Sequence, residues 1–326
     1  MNLNITRMPI IPAFLTLLLA GIAAGVAPAP GAYELVPAAQ LGSALLGFEA
    51  TAPTWSRVFE LVALLWAGLL TGRITVRYGL FAANSCIAIP VFGIAAAWVL
   101  PATGLPGAVT LLLLALSTHN FCRSFRNGYA FDNIFRGGLY LGLIPLLYLP
   151  ATPLLLLLPA AVILFKRTLR ELAVALAGMV LPLLTACYLS WTSGGQFAEP
   201  LLGIAATFTV DNNANIWSMP WPALLSGAIM LLLDVAGAIT YLNSVYSVGF
   251  KARGILALAG CMLLLATGVA LLPCSGPTAL LLLAVPTALL TPFLLMRMHR
   301  ALSLPLYMLL LAWSLAAPYV WPLTAN

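Results

Sequence analysis

Apolar runs of roughly 15 to 25 residues follow one another along the whole chain, separated only by short polar stretches. That pattern leaves few choices of fold. A bilayer core about 30 Å thick takes roughly 20 apolar helical residues to cross, and only a segment that satisfies its own backbone hydrogen bonds can do so. With 63% hydrophobic and 7% charged residues among 326, against about a quarter charged in soluble domains, little remains for a soluble unit. The sequence predicts an all-α polytopic transmembrane bundle, a single integral-membrane domain over residues 1–326.

Reading the runs between polar punctuation gives eleven expected spans, at 9–28, 56–72, 79–100, 106–122, 134–149, 152–166, 171–191, 221–245, 254–272, 277–296 and 302–321. The fifth and sixth, parted only by "PAT" at 150–152, read as a tight hairpin. Cytoplasmic loops of membrane proteins are enriched in Lys and Arg. With the N-terminus inside, every one of the 14 Lys and Arg residues except Arg57 falls on the inner side, and a missed span would invert every later cluster. The expected topology is N-terminus cytoplasmic, C-terminus outside, in an inner membrane. Two outer loops of some length follow, about 31–55 and 192–220. Trp55, Trp98, Trp191, Trp217, Trp221 and Trp321 fall near the expected outer ends, where indole rings anchor at the headgroups. The apolar stretch from about Pro9 to Ala27 is longer than a signal-peptide core and is followed by Pro28 and Pro30, so a retained first span is expected.

The net charge of +6 is dispersed in short clusters between apolar runs and forms no stripe for nucleic acid. The five cysteines have no regular spacing, and the two histidines cannot assemble a metal cluster. Phosphate-loop, dinucleotide and zinc-protease motifs are lacking. No cofactor or metal is expected.

Polar residues inside apolar runs then carry the argument. Asp234 sits near the middle of "MLLLDVAGAI", where a carboxylate costs several kcal/mol unless protonated, paired or hydrated. Two readings stand: a functional residue facing a cavity, or a carboxyl joining two helices. His119 in "STHNFCRSFR" and Asn84 in the third run enter from the inner side. If these helices surround one space, Asp234, His119 and Asn84 line an intramembrane polar cavity; otherwise His119 caps a hydrated inner mouth. In the longest inner loop, Arg123, Arg126 and Arg136 either hold an anionic headgroup or serve orientation alone. On the outside, "TFTVDNNANIWSMPW" brings Asp211 and Trp217 among asparagines, groups suited to sugar hydroxyls and pyranose faces. Glu34 and Glu49 supply the carboxylates of the first outer loop. Arg57 and Glu60, three apart on one helix, are expected to pair.

The stretch from Phe131 to Leu184, with Gly138 and Gly142 entering the fifth span, Tyr148-Leu149-Pro150 closing it, Arg170-Glu171 in the basic turn, and Gly178 and Pro182 in the seventh, resembles an uncharacterised family of polytopic inner-membrane proteins from Bacteroidetes. That family brings no known activity. The layout is also similar to integral-membrane glycosyltransferases that use polyprenyl-phosphate sugars, a similarity that implies an acidic residue in the first outer loop, commonly Asp. Glu34 and Glu49 are what this chain offers there. Three function classes remain open: a transporter-like protein of the cell envelope handling a lipid-linked or small substrate in an intramembrane polar cavity; a polyprenyl-linked glycosyltransferase or polymerase; and a non-catalytic component of an envelope assembly complex. Membrane lipid is the expected partner of all three, and a polyprenyl-phosphate lipid that of the second.

Overall fold

The computed structural model describes residues 8–27, 39–81, 85–125, 128–209 and 219–324. Among them the chain is all-helical, with α1 (Ile10–Val26), α2 (Gln40–Thr51), α3 (Pro53–Arg77), α4 (Ala88–Ala97), α5 (Leu100–Arg123), α6 (Phe131–Leu147), α7 (Leu157–Leu164), α8 (Leu169–Thr192), α9 (Glu199–Thr207), α10 (Trp221–Asn243), α11 (Phe250–Ala270), α12 (Pro277–Leu282), α13 (Ala284–Arg297) and α14 (Arg300–Thr324). Six helical stretches are long and apolar enough to cross a membrane: α3, α5, α8, α10, α11 and Ala301–Val320 of α14. Shorter apolar helices are α1, α4, Leu149–Leu164 and α13.

Length and position are related. The short helices α4 and α12, and α13 as far as Phe293, are buried at nearly every residue, as expected of helices that are apolar all round. They form the centre of the bundle, where α4 packs on α13. The long α8 and α10 lie at the periphery, with 28% and 33% of their most apolar stretches buried inside the bundle.

Glycines set the closest approaches. A Cβ on Gly138 or Gly142 of α6 would strike the backbone of Ala175 or Met179 in α8, and one on Gly178 would strike Phe135. This is the small-residue crossing by which membrane helices associate without a hydrophobic driving force between them. The α8 N-terminus is fixed by a reciprocal cap: Thr168 Oγ1 accepts from Glu171 N–H, and Glu171 accepts from Thr168 N–H. Glu171 also accepts from the Ala130 N–H at the start of α6 and pairs with Arg167.

Several expected boundaries change. The segment expected as the first outer loop contains α2, and α3 begins at Pro53 rather than 56. The second contains α9. The expected turn at 150–152 is a 3₁₀-helix over Leu149–Leu156 leading into α7; Pro150 and Pro153 lack the N–H groups a regular helix needs there. The expected third span is shorter, since regular helix starts only at Ala88, and the expected tenth is divided at Leu283 into α12 and α13. Trp98, expected among the headgroups, is a core residue instead, its indole against Gly227.

One end of the bundle collects basic and aromatic side chains. Tyr78 meets Phe125, Phe125 meets Phe165, Arg77 lies over Tyr78, and Lys166 over Phe250. The opposite end carries α2, α9 and the break in α5.

Candidate functional site

The break in α5 organises that opposite end. Gly104 has φ +60°, ψ −165°, inside what is otherwise continuous helix. Such a backbone is open to glycine and strained for other residues. It frees the amides that begin the next helical stretch, and the Leu105 N–H donates to Glu49 Oε2 at 3.3 Å. Glu49 reaches Gly104 from α2, which packs on α3, α5 and α6. Its other carboxylate oxygen accepts no hydrogen bond among the described residues, so the group is anchored by one oxygen.

A second acidic group stands close by. Glu60 of α3 is buried and lies within electrostatic reach of Glu49. It accepts from Arg57 at 2.9 Å and from Ser56 Oγ at 3.4 Å, so the expected Arg57–Glu60 pair forms. Glu49 thus borders, through Leu105, a groove of about 650 Å³ between α2, α3 and α5, and Glu60 follows the lining residue Phe59 in sequence. All ten lining residues are apolar: Leu45, Phe48, Phe59, Val62, Ala63, Trp66, Leu105, Val109, Leu112 and Leu116. Phe59, Val62 and Trp66 are exposed, so the groove opens sideways, toward lipid. Its size falls within the range of roughly 300–1,000 Å³ typical of ligand pockets. Leu105 joins the two parts, lining the groove with its side chain and bonding Glu49 with its backbone. An apolar groove bordered by an anchored acid suits an amphipathic molecule, with its chain in the groove and its polar end beside Glu49.

Asp234 is fully buried in α10 and accepts from Thr287 Oγ1 at 2.6 Å and Thr291 Oγ1 at 2.8 Å, both on α13. Gly237, three residues on, lets the helices approach, since a Cβ there would meet the Leu290 carbonyl oxygen at 2.7 Å. A smaller apolar cavity of about 290 Å³ lies between α10, α11 and α12 along Gly227, Leu231 and Leu283. Asp234 lines neither of these two cavities. His119 lies near the end of α5, buried, among Arg123 of its own helix and Arg73 and Arg77 of α3. The structure gives His119 and Asp234 no shared partner, and Asn84 lies outside the described residues.

Of the other expected groups, Glu34, Asp211, Trp217 and Arg126 lie outside the described residues. Arg136 pairs with Asp132 at 3.0 Å, both exposed, whereas Arg123 has no such partner among the described residues. Among the described residues no three His, Cys, Asp or Glu side chains converge as a metal site requires.

The groove was invisible in the sequence because its lining is indistinguishable from any lipid-facing surface. The threonines that hold Asp234 did leave a signal: Thr287 and Thr291 are four apart in an apolar run, and so on one helix face.

In comparisons with known proteins, no family model, no curated protein and no solved structure matches this chain. Composition and fold define a multi-pass helical membrane protein.

Proposed function

We propose that this chain is a multi-spanning inner-membrane protein of the cell envelope that handles a lipid-linked substrate, with the hydrocarbon chain in the α2–α3–α5 groove and the polar head at Glu49, Arg57 and Glu60. The observation that carries this reading is the groove itself: a wholly apolar, laterally open space with an anchored carboxylate at its edge. In this reading the chain crosses eleven times, through the six long helices together with α1, α4, α6, the segment 149–164 and the α12–α13 pair. The basic end faces the cytoplasm, which turns the groove's acidic end outward.

A second reading, transfer of a sugar from a polyprenyl-phosphate carrier, is favoured by one specific placement. The layout similarity asks for an acidic residue in the first outer loop, and Glu49 occupies that loop at the groove edge with one oxygen uncommitted. As a general base it would act on an acceptor hydroxyl within hydrogen-bond reach. The Asp234 cavity of the transporter-like reading has less support, because both carboxyl oxygens are held by α13.

Native mass spectrometry of the protein purified in mild detergent tests the main reading. Wild type should retain a polyprenyl-phosphate or other lipid-linked species. Val62→Trp and Val109→Trp, which fill the groove from two walls, should each lose it while keeping the elution volume and Tm of a folded protein. Glu49→Gln should bind the chain but weaken retention of a hydroxyl-bearing head, such as a lipid-linked sugar, by about ten-fold, the order of one charge-assisted contact. An unchanged lipid complement in both tryptophan variants would overturn the proposal.

A further inference from the structure

Six of the chain's eight Asp and Glu residues are described, and each of the six has an intramolecular partner. Glu49 is bonded to Leu105, Glu60 to Arg57, Asp132 to Arg136, Glu171 to Arg167, Thr168 and Ala130, Glu199 to Ser190, and Asp234 to two threonines. The remaining two, Glu34 and Asp211, belong to the segments read as outer loops. Among the described residues no acidic group is left for the basic end between α3 and α5.

That place holds three guanidiniums. Arg73 and Arg77 are four apart on the last turns of α3, and Arg123 ends α5, the helix packed along α3. All three are exposed, and among the described residues none forms an ion pair or hydrogen bond; Arg77 only lies over the Tyr78 ring, its Cζ 5.9 Å from the centroid. His119 lies within electrostatic reach of all three. Its Nδ1 is buried and has no hydrogen-bond partner, which is rare for a buried polar atom. Like charges at i,i+4 repel, so a cluster without a counter-ion is costly as it stands. Orientation signalling explains cations on this side of the membrane. It does not explain why these three arginines, on adjoining helix ends beside an unsatisfied imidazole, are unpaired among the described residues while Arg57, Arg136 and Arg167 each have a carboxylate.

We propose that Arg73, Arg77 and Arg123, with His119 beside them, form a binding site for a phosphate-bearing anion at the basic end of the bundle. Guanidinium forks match phosphate oxygens in bidentate geometry. The same chemistry fits the headgroup of an anionic phospholipid and a soluble phosphate. The site is at the other end of the bundle from the groove and does not depend on it.

The experiment uses the full chain in detergent with two probes, dioleoyl phosphatidylglycerol and inorganic phosphate. Binding is read as retained lipid by native mass spectrometry and as a rise in Tm. Arg73→Lys/Arg77→Lys/Arg123→Lys keeps the orienting charge and removes the forks. Arg136→Gln/Arg170→Gln/Lys251→Gln removes three charges elsewhere on the same end. The lysine triple should weaken the binding of one probe about ten-fold or more, and the glutamine triple should leave it near wild type. Retained phosphatidylglycerol lost in the lysine triple identifies a lipid headgroup; a phosphate-dependent Tm rise lost in that variant, without lipid retention, identifies a soluble anion. His119→Leu, which keeps the buried volume and removes the ring nitrogens, separates a binding role from a structural one, since it should reduce probe binding while leaving Tm without probe near wild type. Equal binding in wild type and the lysine triple, or equal loss in both triples, would overturn the proposal and leave the arginines as orienting charges.

Discussion

Asp234 shows how much one residue reveals and withholds. Its depth in an apolar run is plain in the sequence, and so is the choice between a cavity and a helix joint. The structure supplies the partners, two hydroxyls one helical turn apart on α13. Thr287 has one hydroxyl proton and two oxygens within reach, Asp234 Oδ2 at 2.6 Å and Leu283 O at 2.8 Å. An amide at position 234 can donate to Thr287 Oγ1 while the threonine bonds its own turn. Asp234→Asn should therefore keep stability near wild type, whereas Asp234→Leu, and Thr287→Val with Thr291→Val, should each cost about 1–2 kcal/mol, the upper range for hydrogen bonds between membrane helices. Thermal unfolding in detergent would show this as a lower Tm for the latter two alone. Equal damage from Asn and Leu would mean that the carboxyl group has a role which hydrogen bonding does not capture.

Among the elements, the α6–α8 crossing is the tightest backbone contact described. Gly138 and Gly142, spaced for a small-residue face, were legible in the sequence; that α8 is their partner was not, because spacing on one helix does not name the other. Gly142→Ala places a methyl group against the Met179 backbone, which cannot retreat as a side chain end can. It should destabilise by about 1–3 kcal/mol, the range for overpacking. Gly260→Ala and Gly268→Ala in α11 meet nothing within 4 Å and should instead stabilise by about 0.5–1 kcal/mol through higher helix propensity. Urea or thermal denaturation of the three variants checks the contrast in sign. The short helices α2 and α9 were illegible for a different reason: they lie in stretches whose turn-forming and polar residues read as loop, and packing overrides that local preference.

For the molecule as a whole, the apolar runs made the helical membrane bundle readable, and the distribution of Lys and Arg gave an orientation. Neither says which helices form the centre, because a run apolar on every side reads the same whether protein or lipid surrounds it; α4 and α13 acquire their place only through packing. The proposed eleven crossings put the turn at Tyr246 in the cytoplasm and the one at Ser193 outside. Both residues are exposed, and the five native cysteines are free, two of them partly accessible, Cys86 and Cys261. With those two replaced by Ala, a Tyr246→Cys variant should react with a membrane-impermeant maleimide only after the inner face is opened, and Ser193→Cys should react in intact cells. Labelling of both from the same side would change the parity of the crossings between them.

The bond from Leu105 to Glu49 makes the groove's acid a contested ligand. A substrate head that displaces the Leu105 N–H from the bonded oxygen strips a buried amide of its acceptor, which costs about 1–3 kcal/mol. The other oxygen carries no such penalty. Recognition at this carboxylate is therefore one-sided: donors that leave the Leu105 bond in place meet no such cost, while a head that displaces it leaves the helix start after Gly104 uncapped.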